Sequence, residues 1–115
     1  MKITLSTLSF YSLSNFHDSE VSQLVVDYTN HRIQIPLKLA VTKDASKKTS
    51  MVFNDVKSLR MNIDEQWGPG IYVHEIALKD DLTNKDNEGQ TFSTTILLNS
   101  GDEIHIACES IEIGD

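Results

Sequence analysis

The sequence predicts an all-β (or β-rich α+β) protein, an antiparallel meander of about six or seven strands in a curved sheet or a small sandwich. Residues 32–41 alternate apolar and polar side chains over ten positions, which is the period of a half-buried strand. Segments rich in turn-forming residues, such as 66–70 and 99–102, separate further short apolar runs. No segment of useful length has a convincing amphipathic-helix pattern.

Residues 20–41 are the best-patterned hairpin. An evenly apolar strand over 20–28 and the alternating strand over 32–41 flank a polar turn containing Asn30, a residue type that tolerates positive φ. Pro36 falls on the outward face of the second strand and has no N–H to donate. It therefore predicts that this strand runs along a sheet edge or carries a bulge.

The middle of the chain alternates between loops and strands. Residues 43–50 are rich in Lys, Ser and Thr and are interpreted as a loop. Residues 51–63 contain two apolar runs of different phase, which predicts a bend over 55–58. A strand is expected over 71–78, followed by a long exposed loop over the highly charged residues 80–90.

A closing hairpin is predicted from residues 92–98 and 103–113, with Gly101 at the position of positive φ in its turn. The apolar residues of the last strand change parity after Cys108, so a β-bulge is expected near residues 109–110. Residues 4–15 leave two readings open. They fit a short helix with a high serine content or, with the residues before them, an opening strand.

Composition indicates one β-rich domain over residues 1–115. The hydrophobic fraction is 39%, which is ordinary for a folded domain. No apolar run approaches the roughly 18 residues that a membrane span needs. Cys108 has no second cysteine to pair with and is interpreted as an inert core thiol. A cytoplasmic protein without membrane association is the expectation.

Charge is unevenly distributed along the chain. Residues 1–57 hold seven Lys or Arg and five Asp or Glu, whereas residues 58–115 hold three and twelve, within a total net charge of −7. This pattern fits either a solvated acidic surface or a face that docks a basic partner. Direct nucleic-acid binding is not expected, because phosphate contacts need clustered basic residues and the one local cluster is Lys43, Lys47 and Lys48.

The residues with potential chemistry are His17, Asp18, Glu20 and His74. A histidine beside a carboxylate can serve a metal ion or act as a general base. On an extended chain, however, His17 and Asp18 point to opposite faces unless the chain turns there. Asp18 is then interpreted as a turn residue, and His74 as a partly buried strand residue.

No catalytic residue, metal ligand set or cofactor is predicted. The sequence contains no nucleophile elbow, no phosphate-binding glycine loop and no dinucleotide fingerprint. No metal-ligand spacing supports a zinc site formed by His17, His74 and His105, although the sequence leaves such a site open.

Trp67 is the binding candidate outside that group. It lies in a Gly-Pro-Gly turn rather than in the middle of a strand. A tryptophan in a turn either caps the open end of the core or anchors an interface, and capping is the favoured interpretation.

The sequence FHDSEV at residues 16–21, followed by an alternating strand pair, resembles the Phe-His-Asp-x-Glu-Val opening of small bacterial β-rich proteins. Some of these are classed as immunity proteins of polymorphic toxin systems. The Trp67-Gly68 turn and the LNSGDEI hairpin at residues 98–104 are similar in kind. The resemblance implies a non-enzymatic, cytoplasmic, mostly-β protein that binds and neutralises a toxin.

The leading hypothesis is therefore a non-catalytic interaction protein, immunity-like, that binds a basic toxin-like protein through its acidic C-terminal half. Two alternatives stay open: a small metal-binding protein or hydrolase centred on His17 and Asp18, and a ligand-binding β-domain with a pocket near Trp67. A homodimer that pairs through the strand containing Pro36 is also open.

Overall fold

The computed structural model describes residues 1–42, 45–80 and 91–114, and two antiparallel sheets pack in it as a small sandwich. The all-β prediction is confirmed. Ten strands occur in these residues. The predicted strands over 20–28 and 103–113 are each divided in two, and residues 2–4 form a further strand. The strands are β1 (Lys2–Thr4), β2 (Glu20–Val21), β3 (Val25–Asp27), β4 (Arg32–Thr42), β5 (Ala45–Asn54), β6 (Ser58–Met61), β7 (Val73–Asp80), β8 (Phe92–Leu98), β9 (Glu103–Cys108) and β10 (Ser110–Gly114).

The first sheet has the order β1-β10-β5-β4-β2, with β3 also paired to β4. The alternation predicted for β4 is confirmed, since Ile33 and Ile35 are buried opposite Phe53 and Met51 of β5. The predicted loop over 43–50 is wrong for residues 45–50, which extend β5 along β4. Lys43 and Asp44 lie outside the described residues.

Pro36 does not mark a sheet edge, because β4 lies between β5 and the pair β2 and β3. The predicted strand over 20–28 is divided: β2 pairs with Leu37 and Lys38, and β3 pairs with residues 32–34. The gap between these two ladders lies opposite Pro36, which has no N–H to donate. Self-association through a free edge at Pro36 is therefore not available in this arrangement.

The second sheet has the order β6-β9-β8-β7. Its inner face alternates as predicted, with Phe92 and Ile96 of β8 buried beside Ile104 and Ile106 of β9. The bend predicted over 55–58 is confirmed by the break between β5 and β6. Of the loop predicted over 80–90, Asp80 belongs to β7 and residues 81–90 lie outside the described part.

The parity change in the last strand occurs at Glu109, where the chain passes from the second sheet into the first. Cys108 at the end of β9 is buried, as expected for a core thiol, and Ile111 of β10 is buried opposite Phe53 and Ile3. Strands that change sheets turn corners of this kind in sandwiches. The apolar side chains on both sides of the corner thus enter one core.

The N-terminal segment combines both readings that the sequence left open. It begins with β1 and continues into two short 3-10 turns, Leu5–Phe10 and Ser14–Phe16. Phe16 is buried, so the second turn anchors the segment that precedes β2. No helix within the described ranges is long and apolar enough to cross a membrane.

Candidate functional site

Four of the five predicted site residues lie where residues 17–21 run beside residues 71–74. The Asp18 N–H donates to the Val73 carbonyl at 2.7 Å, and the Val73 N–H donates to the Ser19 carbonyl at 2.8 Å. Half-buried Glu20 forms an antiparallel bridge with Tyr72. These backbone bonds tie the entrance of β2 in the first sheet to the entrance of β7 in the second.

The turn predicted at Asp18 is present, and it brings His17 and Asp18 together rather than apart as expected for an extended chain. Asp18 has a φ of 67°, so the chain turns there rather than staying extended. The turn places Asp18 Oδ2 3.2 Å from His17 Nδ1, with both side chains largely exposed. Aspartate is among the residues that tolerate this left-handed conformation, which explains its suitability at this position.

His74 is exposed rather than partly buried as predicted, and its ring centroid lies 5.8 Å from that of His17. Val73 pairs with Leu98 and Glu75 pairs with Leu97, which leaves His74 as the extra residue of a bulge in β7. A bulge redirects a side chain away from the regular alternation. His17, Asp18 and His74 therefore form one group, which we name the His17–His74 cluster.

His105 does not join this cluster. Its Nε2 lies 2.8 Å from Glu103 Oε2 and its Nδ1 lies 3.2 Å from the Thr95 hydroxyl. The three side chains form a polar group on the outer face of the second sheet. Within the described ranges, no group of three or more His, Cys, Asp or Glu side chains is arranged to hold a metal ion.

Trp67 lies in a second region, which consists of the last residue of β6 and the connection from β6 to β7 and which we name the 61–72 loop. The Trp67 N–H donates to the Ser100 carbonyl at 2.9 Å, and Asn99 and Tyr72 share two hydrogen bonds. Both contacts fix the loop to the turn between β8 and β9, residues 99–102. The predicted positive φ of Gly101 is confirmed at 91°.

Asp102 is the main anchor of the 61–72 loop. Its carboxylate accepts hydrogen bonds from the backbone N–H groups of Asp64, at 2.7 Å, and Glu65, at 3.1 Å. The Asn62 amide and the Ser100 hydroxyl donate to it as well, at 2.9 and 3.0 Å. The backbone hydrogen bond from Asp64 holds the pKa of Asp102 below its ordinary value, although the carboxyl is desolvated by burial.

Trp67 does not cap the core, contrary to the favoured sequence interpretation. Its ring covers Gly101, where an added Cβ would come within 3.0 Å of Trp67 Cδ2, and 63% of the residue remains exposed. One edge of the ring is thus fixed on the turn and the rest faces solvent. This arrangement agrees with the interface interpretation.

The 61–72 loop contains half of the exposed large apolar residues in the described part of the chain. Ten large apolar residues are exposed in the described part of the chain, and five of them lie in this loop. They are Met61, Ile63, Trp67, Ile71 and Tyr72. Exposed apolar side chains gathered in one segment are typical of an interaction site, whereas single ones are ordinary.

The charge around this apolar surface is negative. Asp64 and Glu65 are exposed within the loop, and residues 61–78 contain no Lys or Arg. Asp102, one of the twelve acidic residues of the C-terminal half, is only 5% exposed and contributes to folding rather than to the surface. The acidic face predicted from composition is therefore smaller than the residue count suggests.

A hollow of about 700 Å³ lies between the first 3-10 turn and β7, and its lining includes Leu8, Tyr11 and Leu78. Trp67 is not among its lining residues. This hollow is therefore not the pocket near Trp67 that the ligand-binding alternative requires.

No protein-family model matches the chain, and a search of the curated proteins gives no match either. Sequence analysis missed the anchoring role of Asp102 and the contribution of Ile63 and Tyr72. The donors to Asp102 lie 37 to 40 residues away along the chain in the case of Asn62, Asp64 and Glu65. No local signal in the turn distinguishes such a buried acceptor from an ordinary turn aspartate.

Proposed function

We propose that this protein is a non-catalytic, cytoplasmic interaction protein that docks a basic protein partner through the 61–72 loop. The observation that carries the proposal is the combination of exposed apolar side chains and acidic residues on a loop fixed by Asp102. The partner class is a basic, toxin-like protein, which follows from the charge of the loop and from the resemblance of residues 16–21 to immunity proteins.

The loop has the composition of a binding surface. Tryptophan and tyrosine are enriched among residues that contribute most to binding energy, and Trp67 and Tyr72 are both exposed here. Asp64 and Glu65 supply charges that raise the association rate with a basic surface and disfavour acidic partners. The apolar residues then supply affinity and the carboxylates supply selectivity.

The loop is also ordered before binding. Its backbone is held by Asp102 at Asp64 and Glu65 and by Ser100 at Trp67. A surface fixed in advance loses less conformational entropy when it binds, so more of its contact energy appears as affinity. This anchoring supports docking through the loop rather than a connection that serves topology alone.

We expect a gene beside this one to encode the basic partner. The test uses that protein with the Trp67→Ala variant and with Tyr28→Ala as a matched control. Both residues are exposed aromatic residues in connections between strands, but Tyr28 lies between β3 and β4, outside the 61–72 loop. Calorimetric titration should give a complex that Trp67→Ala weakens by at least about 30-fold, since truncating a central anchor costs about 2 kcal/mol or more.

Tyr28→Ala should leave the affinity within about threefold of the wild type, because its ring lies outside the proposed surface. Co-expression should in addition protect cells from the partner's toxicity. Absence of a complex together with absence of protection would contradict the proposal. Equal weakening by both substitutions would contradict the assignment to the loop.

A further inference from the structure

The His17–His74 cluster is the group of chemically active side chains that the proposed docking function does not use. Two separate backbone irregularities create it: the left-handed conformation of Asp18 and the bulge at His74. Without the first, Asp18 would point away from His17. Without the second, His74 would follow the regular alternation of β7.

We propose that His17 and His74 together bind a divalent transition-metal ion of the Zn²⁺ class, with Asp18 orienting the His17 ring. Imidazole nitrogens are ligands for Zn²⁺, Ni²⁺ and Cu²⁺, whereas Mg²⁺ and Ca²⁺ prefer oxygen ligands. This is a two-histidine site completed by water, consistent with the absence of a larger ligand group among the described residues.

The separation of the two rings fits a shared ion. With Zn–N bonds of about 2.0–2.1 Å and tetrahedral angles, two imidazoles on one ion have centroids about 5.2 Å apart. The centroids of His17 and His74 are 5.8 Å apart. Small side-chain rotations close a difference of about half an ångström, because both rings are exposed and free to adjust.

Asp18 prepares His17 for this role. Its carboxylate lies 3.2 Å from His17 Nδ1, so a small rotation of the ring would let Nδ1–H donate to Asp18 while Nε2 binds the metal ion. Metal-binding histidines usually have such a partner on the other ring nitrogen. A hollow of about 400 Å³ lined by both histidines and by Glu75 gives water and a metal ion access to the rings.

His105 provides the matched control. It has a carboxylate partner in Glu103, at 2.8 Å from its Nε2, and it pairs in register with Thr95 and Arg60 rather than with a second histidine. A histidine–carboxylate pair alone is therefore present in both places. Only the cluster combines such a pair with a second imidazole within the described ranges.

The experiment titrates Zn²⁺ into the untagged protein and follows the histidine ring signals by NMR, with Mg²⁺ as the negative ion. We expect the signals of His17 and His74 to shift together and saturate, while those of His105 stay unchanged. His17→Gln and His74→Gln should each remove saturable binding, and His105→Gln should retain the wild-type affinity.

Asp18→Asn should keep the turn, since asparagine also tolerates positive φ, and should weaken Zn²⁺ binding about 10-fold or more. Melting curves of all four variants establish that they are folded. Absence of saturable shifts, or unchanged Zn²⁺ affinity in either cluster variant, would overturn the site. The docking proposal is tested without metal, so the two can fail independently.

Discussion

The 61–72 loop and the β3–β4 turn at residues 25–32 both expose large apolar side chains, but they are held in different ways. In the turn, Asp27 accepts two hydrogen bonds from Asn30, three residues away. In the loop, Asp102 accepts hydrogen bonds from residues 37 to 40 positions away. The first carboxylate stabilises a local turn, and the second fixes a long connection to the body of the protein.

The two regions also differ in charge. The hollow beside the turn is lined by Arg32 and Lys57 together with Asp27, whereas residues 61–78 contain three acidic residues and no Lys or Arg. Under the docking proposal, a basic partner is attracted more strongly to the loop than to the turn. Exposed apolar area alone does not distinguish the two regions, but long-range anchoring and charge do.

Among substitutions that separate the loop from the turn, Asp102→Asn should cause the largest loss of stability. The loop donors Asn62, Asp64 and Glu65 all meet Oδ1 of Asp102, an oxygen that asparagine keeps. The substitution removes the negative charge that strengthens these hydrogen bonds and replaces Oδ2, which accepts from the Ser100 hydroxyl, by an NH₂ group. The melting temperature should fall by about 5–10 °C, and the amides of Asp64 and Glu65 should exchange rapidly with solvent.

Asp27→Asn is the matched control for that substitution. The pKa of Asp27 is also lowered, chiefly by its side-chain hydrogen bond with Asn30, but its donors are local and exposed. Its melting temperature should fall by no more than about 2 °C. Equal losses in the two variants would show that the long-range anchor has no special role.

Lowering the pH should weaken the hydrogen bonds between Asp102 and the 61–72 loop and so reduce the stability of the protein. The pKa of Asp102 is lowered in the folded protein, so its stabilisation is fully present above the ordinary value of 3.8 and is lost as the pH falls through the folded-state pKa. Thermal melts from pH 7 to pH 2 should show the difference between wild type and Asp102→Asn shrinking below about pH 4. A constant difference would contradict the assignment.

A more local effect is expected from Gly101→Ala, which changes the contact between Trp67 and the 99–102 turn. The substitution places a Cβ at a φ of 91° and 3.0 Å from the Trp67 ring. Gly68→Ala is the control, because its φ is 96° but no atom lies within 4 Å of the added Cβ.

Each alanine should cost about 1–2 kcal/mol of unfolding free energy from backbone strain. Gly101→Ala should in addition shift the Trp67 fluorescence, because the ring must move. An unchanged spectrum in Gly101→Ala would contradict the described packing of the ring on the turn.

The strands with strong alternation were predictable because their pattern is local. Residues 32–41 and 103–108 have the periodicity of half-buried strands, and both are strands. The polar residues 45–50 were misread as a loop because their strand depends on pairing with β4 rather than on burial of their own side chains. The division of residues 20–28 likewise reflects the partner strand, where Pro36 interrupts the ladder.

The candidate sites depend on backbone features that sequence periodicity does not show. His17 and Asp18 meet because Asp18 is left-handed, and His74 reaches them because of a bulge. The exposure of Trp67 follows from Gly101, which leaves room for the ring on a turn rather than in the core. The left-handed conformation of Asp18 is a local feature that a periodic pattern does not show. The bulge at His74 and the packing of Trp67 on Gly101 involve segments far apart in the chain, which is why residue spacing alone did not reveal them.

The measurement that tests the central claim most directly is hydrogen–deuterium exchange of this protein with and without the basic partner that we expect a neighbouring gene to encode. The account predicts that binding slows exchange in residues 61–72 and leaves residues 25–32 unchanged. Protection confined to residues 25–32, with none in residues 61–72, would contradict it.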